Sequence, residues 1–138
     1  INALPVYKFM KIAIVSDTHG NVANFKKIVQ WLNGENIKLI LHCGDIGNPE
    51  SLKESLADFT GQFLGVFGNM DADYKILTDE YDKIPGVKIE EHILTTEIFG
   101  KKIAITHYPE DAKEIAGKLK APLTLWVLLP KNSKKESL

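Results

Sequence analysis

Short apolar runs alternate along the chain with segments of helical periodicity, and each of the first runs stops at a polar cluster. Residues 12–15 (Ile-Ala-Ile-Val) form the first, which ends abruptly at Ser16-Asp17-Thr18-His19-Gly20. Residues 21–35 then place Val22, Phe25, Ile28, Val29 and Leu32 on one helical face, with Trp31 packing beside the stripe and Gly34 and Asn36 as the stop. A second run at 37–43 ends in Gly44-Asp45. Residues 49–59 repeat the helical pattern through Leu52, Leu56 and Phe59, with Asn48 and Pro49 as cap and first turn. A third run, 63–67, ends in Gly68-Asn69-Met70-Asp71. Strand, helix and strand joined by full crossovers imply parallel pairing with right-handed connections, which brings Asp45 to the same sheet edge as Asp17.

The second half reads differently. Residues 72–86 predict one irregular helix around Ile76 and Leu77, followed by a turn at Pro85-Gly86. Residues 94–99 and 102–106, joined across Gly100-Lys101, read as a β-hairpin whose second strand ends at His107. A helix is predicted over 110–119 and a strand over 123–129, the latter running into Pro130 and a basic tail at 131–138 that reads as solvated or disordered. Met10 sits just before the first strand, so residues 1–9 are expected to be an upstream extension and 10–130 a single domain.

A chain of 138 residues is one domain by the usual prior. Apolar residues at 44% and charged residues at 25% are ordinary globular values, and no apolar run approaches the ~20 residues of a spanning helix. The expectation is a soluble chain without a membrane partner. Seventeen basic and 18 acidic residues give a net charge of -1, which supplies no electrostatic argument for a nucleic-acid partner. The single cysteine, Cys43, cannot form an internal disulfide and fits a reducing cytoplasm.

Chemistry enters at the strand ends. Alternation lets Asp17 and His19 converge on one point, and a carboxylate with an imidazole suits a borderline divalent ion such as zinc, manganese, iron or nickel. Taken alone, the pair reads first as a capping residue and a solvent-facing loop histidine. It gains weight because four strands end in ligand-type side chains, and ligands of open α/β sheets bind outside the carboxyl ends of the strands. Asp17, His19, Asp45, Asn69 and His107 together make a mixed oxygen and nitrogen set, enough for most of two ions if Asp45 bridges them. Two ions ~3.5–4 Å apart can orient a phosphate and activate a water. His42 reads as a core residue or one standing behind a ligand, and His92, beside Glu90 and Glu91, as solvated. Neither a Walker-type loop nor a C-x-x-C pair is present.

Asp17-x-His19, Gly44-Asp45, Gly68-Asn69-x-Asp71 and Thr106-His107, in this order and at these separations, resemble the calcineurin-like metallophosphoesterases. The resemblance runs from about Met10 to about Leu119 and is strongest to the small single-domain phosphodiesterases of archaea and bacteria, which are related in fold to a eukaryotic retromer scaffold subunit. It implies an α/β fold, a β-sandwich flanked by helices and fed by βαβ units, and hydrolysis of a small phosphodiester or phosphomonoester. Asp17, His19 and Asp45 would hold one divalent metal, and Asp45, Asn69 and His107 the other; Asn69 would also face the substrate. Three departures stand out. Met70 occupies the place of a histidine that acts as general acid in much of the family, leaving Asp71 as the catalytic candidate that could orient the site or share the acid role. Tyr108 replaces a glycine at the rim. The family's Gly-His-x-His, which completes both metal sites, has Leu125-Trp126-Val127-Leu128-Leu129-Pro130 in its place, so the end from about Lys120 is expected to be truncated, altered or frame-shifted and the last strands missing. Two functions follow from this: a metal-dependent phosphoesterase, impaired or not, or a non-catalytic scaffold of the same fold. An open sheet edge would also allow self-association.

Overall fold

A computed structural model describes residues 11–119 and 125–127, so the extension expected at 1–9 and the basic tail at 131–138 lie outside the described residues. Four strands, β1 (Ala13–Val15), β2 (Leu39–His42), β3 (Gln62–Val66) and β4 (Val87–Glu90), form a parallel sheet in that order. Helices α1 (Val22–Gly34) and α2 (Pro49–Ser55) make the first two crossovers. Both begin on an asparagine whose side chain accepts a backbone N–H of the first turn, Asn21 from Asn24 and Asn48 from Ser51. After α1, Asn36 takes the left-handed backbone that ends the helix (φ +56°).

β2 is buried along its whole length because each of its faces serves a different core. Ile40 packs with Phe25, Val29, Leu32 and Phe63 beneath the helices. Leu39, Leu41 and Cys43 pack against Leu94, Ile98, Ile103 and Ile105 of a second sheet. Burial on both sides explains the continuous apolar run, where an alternating one would mark a half-exposed strand. In that second sheet β5 (Ile93–Ile98) pairs antiparallel with β6 (Lys101–Thr106), and β7 (Leu125–Val127) lies parallel to β6. Helix α4 (Pro109–Leu119) follows β6 and packs on it through the buried Ala112. The molecule is therefore the expected α/β arrangement, a β-sandwich flanked by helices and built from βαβ units.

Local details depart from the sequence reading. The hairpin turns one residue earlier than expected: Ile98 pairs with Lys101, so the loop is Phe99-Gly100, both with positive φ (57° and 75°), as a two-residue turn between twisted strands requires. The irregular helix is a 3-10 helix, Asn69–Leu77, followed by the short α3 (Thr78–Asp82). Ile76 and Leu77, expected at its centre, are exposed, and Tyr81 and Ile84 enter the core instead. Their spacing from the preceding apolar positions carries no clean period, because a 3-10 segment advances three residues per turn. β4 had no counterpart in the sequence reading: four residues alternating Val87, Lys88, Ile89 and Glu90 carry too short a signal beside a helix. The second helix also stops at Ser55, and Leu56 and Phe59 reach the helix-side core from the turn beyond it.

Candidate metal centre

The first two strands deliver their polar ends together because the parallel ladder continues past them into the loops. The amides of Asp17, His19 and Gly20 donate to the carbonyls of Gly44, Asp45 and Ile46 at 2.9–3.0 Å, so the segments carrying Asp17-x-His19 and Gly44-Asp45 are bound residue for residue. Among the described residues only five non-glycines have positive φ, and three of them are Asp17, His19 and Asp45 (58°, 48° and 58°). Such backbone is held only where the surroundings over-determine it, and it clusters at functional sites. Here it turns successive side chains back toward one point.

That point lies against Asp45, whose side chain is almost wholly buried. Asp45 Oδ1 accepts the Met70 amide at 2.9 Å. Its Oδ2 stands 3.6 Å from His107 Nε2 and 4.0 Å from His19 Nε2, and His19 Nε2 is 3.6 Å from Asp17 Oδ1. His107 Nδ1 lies 2.8 Å from the Cys43 carbonyl, so that nitrogen carries the proton and donates it. In the neutral ring Nε2 is left with its lone pair toward Asp45 and toward Asn69 Oδ1, 2.9 Å away. Gly68 makes the approach of these loops possible, because a Cβ there would lie 2.1 Å from Asp45 Oδ1. All five sequence-predicted ligands, Asp17, His19, Asp45, Asn69 and His107, thus converge, and the last comes from the second sheet.

Electrostatically the cluster is unbalanced. Burial pushes the Asp45 carboxyl upward from its ordinary value; the Met70 amide and His107 pull it down, and the neighbouring Asp17 carboxyl pushes it up again. Asp17, Asp45 and His107 offer ligand atoms all within 4.8 Å of one another, a set that can hold a metal ion. A buried carboxylate and a half-buried one meeting beside an imidazole lone pair are a cradle for a cation, and a histidine whose other ring nitrogen donates to a backbone carbonyl is set up as a ligand. The donor set therefore fits a divalent metal.

Other predicted residues stand back from this point. Asp71 is buried, and its carboxylate is occupied by three backbone amides: Oδ2 accepts Ile46 and Gly68 (3.0 and 2.8 Å), and Oδ1 accepts Gly47 (3.0 Å). Met70 is exposed and contributes its backbone amide only. Tyr108 lies edge-on to the His107 ring at 5.4 Å, and His92, half-exposed, lies 5.9 Å from Tyr108 on the outer side.

His42 is fully buried behind the candidate ligands, where its Nδ1 accepts the Gly44 amide and its Nε2 lies 3.0 Å from Thr18 Oγ1. An accepting Nδ1 makes Nε2 the donor, so Thr18 passes its own proton on to the Ile46 carbonyl at 3.2 Å. Burial, followed by His107 and His19, lowers the His42 pKa to about 3. Thr18 and this relay were not found from sequence, since their partners are backbone groups of another loop.

A family model, described as the calcineurin-like phosphoesterase superfamily domain, matches residues 10–124. The chain belongs to that superfamily. It is 32% identical over 98 residues to a phosphodiesterase of Methanocaldococcus jannaschii, an overlap of 71% of this chain and 58% of the relative. Among solved structures, an archaeal phosphodiesterase superimposes with a TM-score of 0.69 at 30% identity, covering 80% of this chain and 67% of the other. A phosphoesterase from E. coli superimposes with a TM-score of 0.55 at 16% identity, over 73% and 59% of the two chains, which is a likeness of fold. The chain thus spans little more than half the length of the curated relative it matches. No helix among its described residues is long and apolar enough to cross a membrane.

Proposed function

We propose that the chain is a metal-dependent phosphoesterase acting on a small phosphodiester or phosphomonoester. The observation that carries this is the buried Asp45 carboxylate, set between the imidazoles of His19 and His107 and against Asp17. In this reading Asp17, His19 and Asp45 would hold one divalent ion and Asp45, Asn69 and His107 a second. Manganese, nickel, iron and zinc all suit the donors. When bound, such a pair supplies charge to orient a phosphate, a water made nucleophilic near neutral pH, and stabilisation of an in-line displacement on phosphorus. The chain's own residues do the rest. His107 is held by Cys43, Asn69 sits beside it where it can also donate its amide to a phosphate oxygen, and Asp71 orients the ligand loops through their amides. The relatives' description as phosphodiesterases supports the diester as the first substrate to try. A cytoplasmic setting, supported by the lone buried Cys43, and self-association through an open sheet edge belong to the same reading.

One observation favours a second reading, a protein-binding scaffold of the same fold: the exposed Met70 occupies the place where an acid is expected and cannot transfer a proton. Elemental analysis after loading with manganese, nickel or zinc, followed by assay on bis(p-nitrophenyl) phosphate, separates the two. The enzyme reading expects about two ions per chain. It also expects turnover that falls at least about 100-fold in Asp45→Ala. Little metal and no turnover would leave the scaffold.

A further inference from the structure

Gly47 carries no ligand, yet all three ligand-bearing loops of the parallel sheet meet on its backbone. Its amide donates to Asp71 Oδ1 at 3.0 Å, which ties it to the loop after β3, because Asp71 Oδ2 also takes the Gly68 amide. Its φ is +104°, and a Cβ there would lie 2.5 Å from the Gly20 amide nitrogen, so the loop after β1 is in direct contact. Its carbonyl accepts the Tyr81 hydroxyl at 2.5 Å. Tyr81 comes from α3, is fully buried, and packs its ring edge-on against Phe67, the residue before Gly68-Asn69, at 5.3 Å.

From this geometry we infer that Tyr81 is a positioning residue for the metal centre. With Asp71 on the opposite side of the same peptide unit's neighbour, it clamps Gly47 and so fixes Asp45, two residues earlier, against His19, His107 and Asn69. The inference rests on the proposed metal reading. A half-buried carbonyl left without its donor must find another or move, and here movement is passed to the Gly20 backbone packed against Gly47 and to the Asp71 carboxylate that takes the Gly47 amide. The phenol is suited to the task. It is long enough to reach from the helix layer to the strand ends, and its apolar ring joins the helix-side core of Phe25, Leu52 and Phe67.

Tyr81→Phe deletes the hydroxyl and keeps the ring. Cobalt(II) titrated into the metal-free chain is the probe, read by affinity and by the visible absorption band that reports coordination geometry. The expected result is a roughly tenfold weaker affinity and a shifted band. Ile89→Val, a trimming in the same core but away from Gly47, should leave both at the wild-type value. Asp71→Asn, which replaces two acceptors with one acceptor and one donor, should weaken cobalt as Tyr81→Phe does and serves if the latter fails to fold. Wild-type affinity and band in Tyr81→Phe, or an equal loss in Ile89→Val, would overturn the inference while leaving the metal reading intact. If the wild-type chain takes up no cobalt, the metal reading falls and the inference with it.

Discussion

At the scale of single residues, the centre is a balance of protons as much as of ligands. His42 is kept neutral by burial and by the two other histidines, with its pKa lowered from 6.5 to about 3. The unfolded chain takes up a proton at this side chain as pH falls through about 6.5, whereas the folded chain does not until about 3. Its contribution to stability is therefore fully present above about 6.5 and declines with acidification, by about 1.4 kcal/mol per pH unit within that window. Urea unfolding of the metal-free chain should show this as a loss of about 2 kcal/mol between pH 7 and pH 5 that is absent in His42→Gln, which cannot be protonated. An identical acid slope in the two chains would contradict the assignment. Asp17 and His19 were legible in sequence because an apolar strand stops abruptly at them. Thr18 and Tyr81 were not, because each acts on a carbonyl of a distant loop, and a carbonyl leaves no mark in the sequence.

At the scale of elements, the loops after β1 and β2 are joined by backbone hydrogen bonds, and the loop after β3 is tied to them through the Asp71 and Asp45 carboxylates. Gly68 is where these loops are tightest, with room for no Cβ beside Asp45. Gly68→Ala should destabilise the chain by about 1–3 kcal/mol in chemical denaturation, as overpacking does. It should also weaken metal uptake, since Asp45 is the side chain that must give way. Retained uptake with unchanged stability would mean that the loops can separate. Helices with an asparagine cap, at Asn21 and Asn48, could be read from sequence because the cap is chemically marked. The 3-10 segment Asn69–Leu77 could not. Its residues are placed by Asp71 and Tyr81 gripping other loops, and its own apolar side chains, Ile76 and Leu77, face water.

At the scale of the whole molecule, four of the five candidate ligands stand at the strand ends of one sheet and the fifth, His107, crosses from the other. Metal should therefore tie the two sheets together. With free metal at 100 times the dissociation constant, binding adds about 2.7 kcal/mol to folding stability. Removing it with a chelator should lower the thermal midpoint by roughly 10 °C. A midpoint insensitive to chelator would show that the sheets hold each other without the ion. The sequence by itself determined the first three strands and the two crossover helices, the parallel pairing of those strands and the polar residues at their ends. Periodicity, caps and crossover length are local properties, and they survive in a linear reading. Only the tertiary structure decided that β2 serves two cores, that His107 arrives from the second sheet to face Asp45, and that Asp71 and Tyr81 act on Gly47. Those relations depend on how layers stack across tens of residues of chain. The backbone groups that carry them are the same at every position, so no residue type announces them.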